Sequence, residues 1–211
     1  METNKYLNDI TEIKNIMNRS SRFISLSGLS GVLAGIYALI GAVFAYMKLK
    51  DSSVTNYENF SGRTSSLSGS TVINDLTLIA IAVLVAAVIT GFIMTLKKSK
   101  KSGEKIWDST SKRLVFNFAI PLVVGGLFCL VLMQQGMAGL VAPATLIFYG
   151  LACVNASKYT MGDVRYMGIA FIIIGLISTQ FIGYGLYFWA LGFGVCHILY
   201  GSLMYYKYDR N

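Results

Sequence analysis

Six long stretches without a single Asp, Glu, Lys or Arg constrain this chain more than any other feature. They cover residues 23–47, 76–96, 114–133, 140–156, 166–182 and 186–206. Crossing the hydrocarbon core of a bilayer takes about 20 apolar residues of helix. One charge at the middle of such a helix costs on the order of 2.5–3.5 kcal/mol, so six uncharged windows in one chain point to insertion in lipid. Barrel strands need only about ten residues of alternating polarity, whereas these runs are apolar on every face. The expected fold is therefore all-α: a polytopic integral membrane protein, one domain over residues 1–211, built as a bundle of six transmembrane helices. Composition agrees, since charged residues make 13% of the chain, against about a quarter in soluble proteins.

Fifteen of the 18 basic residues fall on one side of these windows. Lys5, Lys14, Arg19 and Arg22 precede the first window, and seven more lie in residues 97–113. Lys158 and Arg165 separate the fourth from the fifth, and Lys207 and Arg210 follow the last. Only Lys48, Lys50 and Arg63 occupy the other side. Lys and Arg accumulate in loops retained in the cytoplasm. The asymmetry predicts cytoplasmic termini and an even number of spans, and it accounts for the formal charge of +8 without nucleic acid. Within the basic cytoplasmic loop 97–113, Lys97, Lys98, Lys100, Lys101 and Lys105 either meet anionic lipid head groups or serve only to orient the spans.

The remaining connections differ in kind. Residues 48–75 are rich in Ser, Thr, Asn and Gly, a composition that predicts a flexible external loop. Residues 134–139 and 183–185 are tight turns that pair the third span with the fourth, and the fifth with the sixth, as helical hairpins. Residues 1–22 lack the ordered pattern of a cleavable signal. Tyr6, Ile10, Ile13 and Met17 recur there at helical spacing. This predicts an amphipathic helix on the cytoplasmic membrane surface, or alternatively a coiled-coil contact with a second copy.

Ser27, Gly31 and Gly35 fall four apart on one face of the first span. Small residues at that spacing let helix backbones approach where lipid supplies little drive for association. Ala82, Ala86 and Thr90 repeat the pattern in the second span, and Ala190 and Gly194 in the sixth. Helix packing is the expected role, against a partner in the same chain or in another copy. Asn117 and Asn155 lie near the cytoplasmic ends of the third and fourth spans, so a hairpin brings them to similar depth, bonded to each other or to backbone. Gln180 sits at the external end of the fifth. Tyr149, Tyr184, Tyr187 and Trp189 fit an external aromatic belt, with Tyr159, Tyr166, Tyr205, Tyr206 and Tyr208 at the opposite interface.

Cys196 and His197 are the one adjacent pair of ligand-type residues. A metal site needs three or four ligands, and His197 is the only histidine. No metal or cofactor is expected, and the pair reads as a packing cysteine beside a hydrogen-bonded histidine. Acids inside the windows, a phosphate-binding loop, a zinc-protease helix and a nucleophile elbow are all missing, which disfavours ion pumps, P-loop ATPases and the common hydrolases.

Residues 20–35, Ser-Ser-Arg-Phe-Ile-Ser-Leu-Ser-Gly-Leu-Ser-Gly-Val-Leu-Ala-Gly, resemble the opening of a family of small bacterial multispan membrane proteins of unknown function. The resemblance implies placement in a bacterial inner membrane and carries no activity or site residue. The expected function is accordingly non-enzymatic: a sensor, regulatory or accessory subunit that acts through protein contacts, with itself or another membrane protein. A transporter or channel for a neutral or amphipathic small molecule is the alternative, with Gly175, Gly192 and Gly194 as places where a span would break. An intramembrane enzyme using Cys196 and His197 comes third.

Overall fold

A computed structural model describes residues 27–51, 67–102 and 107–209. The amphipathic segment expected over residues 1–22 lies outside the described residues. Among the described residues there are helices and no strand. Helix α1 is Gly28–Asp51, α2 Leu67–Ser102 and α3 Ser109–Gln134. Helix α4, Val141–Ala156, follows a short 3₁₀ turn, Ala138–Leu140, and α5 is Val164–Gln180. The last helix, α6, runs without a break through Gly185–Trp189, a π-helical stretch Ala190–Cys196, His197–Met204 and a second π-helical stretch Tyr205–Asp209. Among the described residues, five helices are long and apolar enough to cross a membrane, while α5 is apolar but shorter.

Local chemistry explains the ends. Asp108 caps α3: its carboxylate accepts hydrogen bonds from the Ser111 N–H and hydroxyl, each at 2.7 Å. The backbone bond leads in holding the Asp108 carboxyl below its ordinary range, as expected where free N–H groups open a helix. The other end of α3 closes in a Schellman motif. The Met137 N–H reaches the Leu132 carbonyl at 2.8 Å and that of Gly136 reaches Met133 at 3.1 Å. Gly136 adopts φ 73°, open to glycine at little cost.

Three helix boundaries differ from the sequence expectation. Helix α2 starts at Leu67 and ends at Ser102, so residues expected in the flanking loops are helical. At 1.5 Å per residue its 36 residues span about 54 Å, well beyond a hydrocarbon core of about 30 Å. Lysine is a good helix former, so Lys97–Lys101 continue the helix. Helix α1 likewise continues to Asp51, and a Lys48–Asp75 ion pair at 3.2 Å joins it to α2 beyond the apolar windows.

Consecutive helices that touch are antiparallel. Tyr37 meets Thr90 and Gly41 meets Val83 across α1 and α2. Asn117 meets Asn155 and Gly125 meets Phe148 across α3 and α4. Gly150 meets Gly168 and Ile147 meets Gly175 across α4 and α5. Helix α6 returns beside α1, with Gly28 and Gly31 against Gly201 and Gly35 against Gly194. The lateral order is therefore α2, α1, α6, then α4 with α5, then α3. One end of the molecule collects Lys97, Lys100, Lys101, Lys112, Arg113, Lys158, Arg165 and Lys207, and is called the basic end below. The interior sits where α4, α5 and α6 meet. The edges are open: none of the most apolar part of α2 is buried.

Close approach rests on glycine. A Cβ on Gly150 would stand 2.6 Å from the Gly168 carbonyl oxygen, and one on Gly168 would stand 2.7 Å from that of Gly150. These are backbone contacts with no flexible side chain to yield, so α4 and α5 touch through their main chains.

Candidate functional site

A cluster of aromatic rings and one buried histidine lies where α4, α5 and α6 converge. Tyr149 comes from α4, Phe171 from α5, and Phe193 and His197 from α6. Phe171 is wholly buried and His197 is 8% exposed. The rings touch in tilted and edge-on pairs: Tyr149–Phe171 centroids are 4.9 Å apart, Tyr149–Phe193 5.1 Å and Phe171–His197 5.1 Å. Such pairs add about 0.5–1.5 kcal/mol beyond burial. The Tyr149 hydroxyl and His197 Nε2 share a hydrogen bond of 2.8 Å. With tyrosine donating, the ring proton sits on Nδ1. The ring lies near the Gly192 and Phe193 carbonyls, but Nδ1 makes no well-aligned hydrogen bond.

This corrects the placement of Tyr149 in an external aromatic belt. Tyr149 faces inward because α4 is packed on three sides, by α3, α5 and α6. The π-helical stretch falls where Gly192 and Gly194 marked a possible irregularity, although the helix continues through it rather than breaking. It ends immediately before His197 and carries Gly192 and Gly194. Gly192 lies on Leu146 of α4, and Gly194 on Leu39 of α1, so α6 meets both neighbours at once.

Polar and sulfur groups continue toward the basic end. Cys153, one turn beyond Tyr149, is 1% exposed and packs with Met161, Val164 and Met204. The Tyr200 hydroxyl is buried there without a hydrogen-bond partner. At the surface the Lys207 ammonium donates to Asp163 at 2.6 Å and the Tyr208 hydroxyl donates at 3.0 Å. The Lys207 bond is the main reason the Asp163 carboxyl stays below its usual range.

A second polar contact joins α3 to α4, and it has a backbone cause. Pro121 stands inside α3 and has no N–H, so the carbonyl four residues earlier, on Asn117, loses its helical donor. The Asn155 amide supplies one instead, donating to the Asn117 carbonyl at 2.9 Å. It also lies 3.5 Å from the Asn117 side-chain oxygen. The Asn117 amide in turn donates to the Arg113 carbonyl at 2.8 Å. In hydrocarbon an orphaned carbonyl finds no water, and neighbouring helices must satisfy it.

The other expected residues are placed as follows. Gly31 and Gly35 pack on α6 of the same chain, joined by Gly28 and Gly201, which four-residue spacing alone did not single out. Ser27 is half-buried, and its carbonyl accepts from Ser30 Oγ at 2.6 Å. Ala82 is exposed and Ala86 half-buried; Ile79 and Val83 lie against Gly41 of α1, and Thr90 meets Tyr37. Ala190 opens the π-helical stretch. Gln180 is exposed and bonds Thr179 at 3.3 Å. Cys196 is half-buried and free. Among the described residues no three His, Cys, Asp or Glu groups converge as a metal site. Lys97, Lys100 and Lys101 are exposed and Lys98 half-buried, whereas Lys105 lies outside the described residues.

Comparisons with family models, curated proteins and solved structures returned no match.

Proposed function

We propose that this chain is a six-span inner-membrane protein with both termini in the cytoplasm, and that it works as a sensor, regulatory or accessory subunit through contacts with itself or another membrane protein. The supporting observation is the filled interior. Where a carrier would hold a wettable cavity, α4, α5 and α6 interlock through Tyr149, Phe171, Phe193 and His197 at ring distances of 4.9–5.3 Å. Helices α2 and α3, by contrast, each lean mainly on one neighbour and leave long apolar faces open. The basic end on the cytoplasmic side follows the usual retention of Lys and Arg, with α5 as a short sixth crossing.

The transporter reading has one observation in its favour, the π-helical stretch Ala190–Cys196, since such irregularities recur at functional sites. Gly175, by contrast, lies in an unbroken α5. Crosslinking in native membranes followed by mass analysis tests the subunit reading, with a stable homomeric or heteromeric product as the expected result. Neither self-contact nor partner, together with solute counterflow in reconstituted liposomes, would overturn it in favour of transport.

A further inference from the structure

Helices α3 and α4 enclose a trough that opens at the side of the molecule. It is lined by Pro121 and Val124 of α3 and by Leu151 and Val154 of α4. It ends toward the basic end at Asn155 and Lys158. Gly125 draws Phe148 against the α3 backbone, while the Pro121 break is bridged by Asn155 rather than by a bulkier side chain. The depression is thus shaped by two backbone features of α3, Gly125 and Pro121.

The trough joins an apolar run to a cationic mouth. Arg113 lies one turn outside Asn117 on α3, and Lys158 lies just beyond the end of α4, three residues after Asn155. Because Asn117 and Asn155 are bonded, the two cations stand at a similar depth, Lys158 on the lining of the trough and Arg113 one turn beyond it on α3. Both are exposed, and neither has an acidic partner among the described residues. From Arg113 to Val124 the helix rises about 16 Å at 1.5 Å per residue, close to half of a hydrocarbon core of about 30 Å. One leaflet therefore covers the trough from tail to head.

We propose that this trough binds one anionic phospholipid from the leaflet at the basic end. An acyl chain lies on Val124, Leu151 and Val154, and the phosphate group sits between Arg113 and Lys158. The site rests on the membrane reading above and is separate from the lysines of α2. Charge complementarity names the occupant: the two cations at the mouth match an anionic head group, whereas an apolar helix from a second copy would offer them no counter-charge.

The test is native mass spectrometry of the full chain, released from a nonionic detergent after titration with phosphatidylglycerol or phosphatidylcholine. A cation beside an anionic head group is worth about fivefold in occupancy. One phosphatidylglycerol should therefore be retained about 25-fold over phosphatidylcholine. The Arg113→Gln/Lys158→Gln double variant should lose that preference, and Leu151→Trp, which fills the trough, should lose both lipids. Lys97→Gln/Lys100→Gln should keep the preference. Equal retention of the two lipids overturns the proposal, as does an unchanged preference in Arg113→Gln/Lys158→Gln or its loss in the α2 variant. A Leu151→Cys disulfide between two copies would also overturn it, by showing that protein covers the trough. A chain that stays dissolved without detergent would instead overturn the membrane reading itself.

Discussion

The bridge from Asn155 to the carbonyl left over by Pro121 can be tested without ambiguity, because its cause lies in a different residue. Asn155→Leu keeps the side-chain volume and removes the 2.9 Å donor to the Asn117 carbonyl. A buried acceptor left without a donor costs about 1–3 kcal/mol in soluble proteins. Interhelical hydrogen bonds within bilayers measure about 0.6 kcal/mol on average and reach about 1.7 kcal/mol. The Asn117 carbonyl has no helical N–H to fall back on, so the upper part of that range applies, about 1–1.7 kcal/mol. In Pro121→Ala the residue at 121 regains its N–H, and the Asn117 carbonyl recovers an ordinary helical bond. Asn155→Leu made in that background should then cost little, leaving a coupling of about 1 kcal/mol between positions 121 and 155. Reversible unfolding in mixed micelles, titrated with an ionic detergent, measures all four corners of the cycle. If Asn155→Leu costs the same in both backgrounds to within about 0.3 kcal/mol, the account of Asn155 as a substitute donor is wrong.

Further outcomes follow from the geometry. Gly201→Ala would place a Cβ 2.6 Å from the Val32 nitrogen and 2.7 Å from the Gly28 oxygen; it should destabilise the fold by about 1–3 kcal/mol in the same unfolding assay. Gly126→Ala meets nothing within 4 Å and should instead be neutral or stabilising by up to about 1 kcal/mol. His197→Phe keeps a ring in the aromatic cluster but strands the Tyr149 hydroxyl, so thermal stability should fall by about 1–3 kcal/mol and recover in part when Tyr149→Phe is added. The Asp163 carboxyl is held below its ordinary value of 3.8, mainly by the Lys207 bond. A lowered folded-state pKa contributes stability above that ordinary value and loses it as pH falls through the folded one. Asp163→Asn should thus be less stable than the native chain at pH 7, by no more than about 1 kcal/mol because the pair is solvent-accessible. That difference should vanish as the pH falls below 3.8 and through the folded-state value, and a gap that persists there would refute it.

Much of the helical organisation is legible in the residues. The uncharged windows fall on helices, five of which are long enough among the described residues to cross a bilayer, and the turns at Gly136 and Gly183 join packed hairpins. Asn117 and Asn155 could be set at one depth by counting from a short turn, and they meet. Other features were out of reach. Tyr149 lies in a window that is apolar on every side, so nothing in its neighbours along the chain told whether it looked to lipid or to His197. Pro121 drew no attention until its orphaned carbonyl could be seen with a partner. Gly31 and Gly35 announced a close approach, but a residue with no side chain does not name what approaches it. The answer, Gly194 and Gly201 of the same chain, came from the return of α6 beside α1.

Transfer into hydrocarbon is nearly a sum over residues, each contributing according to its own polarity. That is why the stretches able to enter lipid, and the side that keeps the basic residues, are written in the order of amino acids. Facing is another matter. Lipid is as apolar as leucine, so no hydrophobic stripe marks the inner side of these helices, and shape and a few polar contacts decide it. Which glycine meets which backbone, where His197 finds Tyr149, and how Asn155 reaches the carbonyl behind Pro121 exist only once the helices are packed.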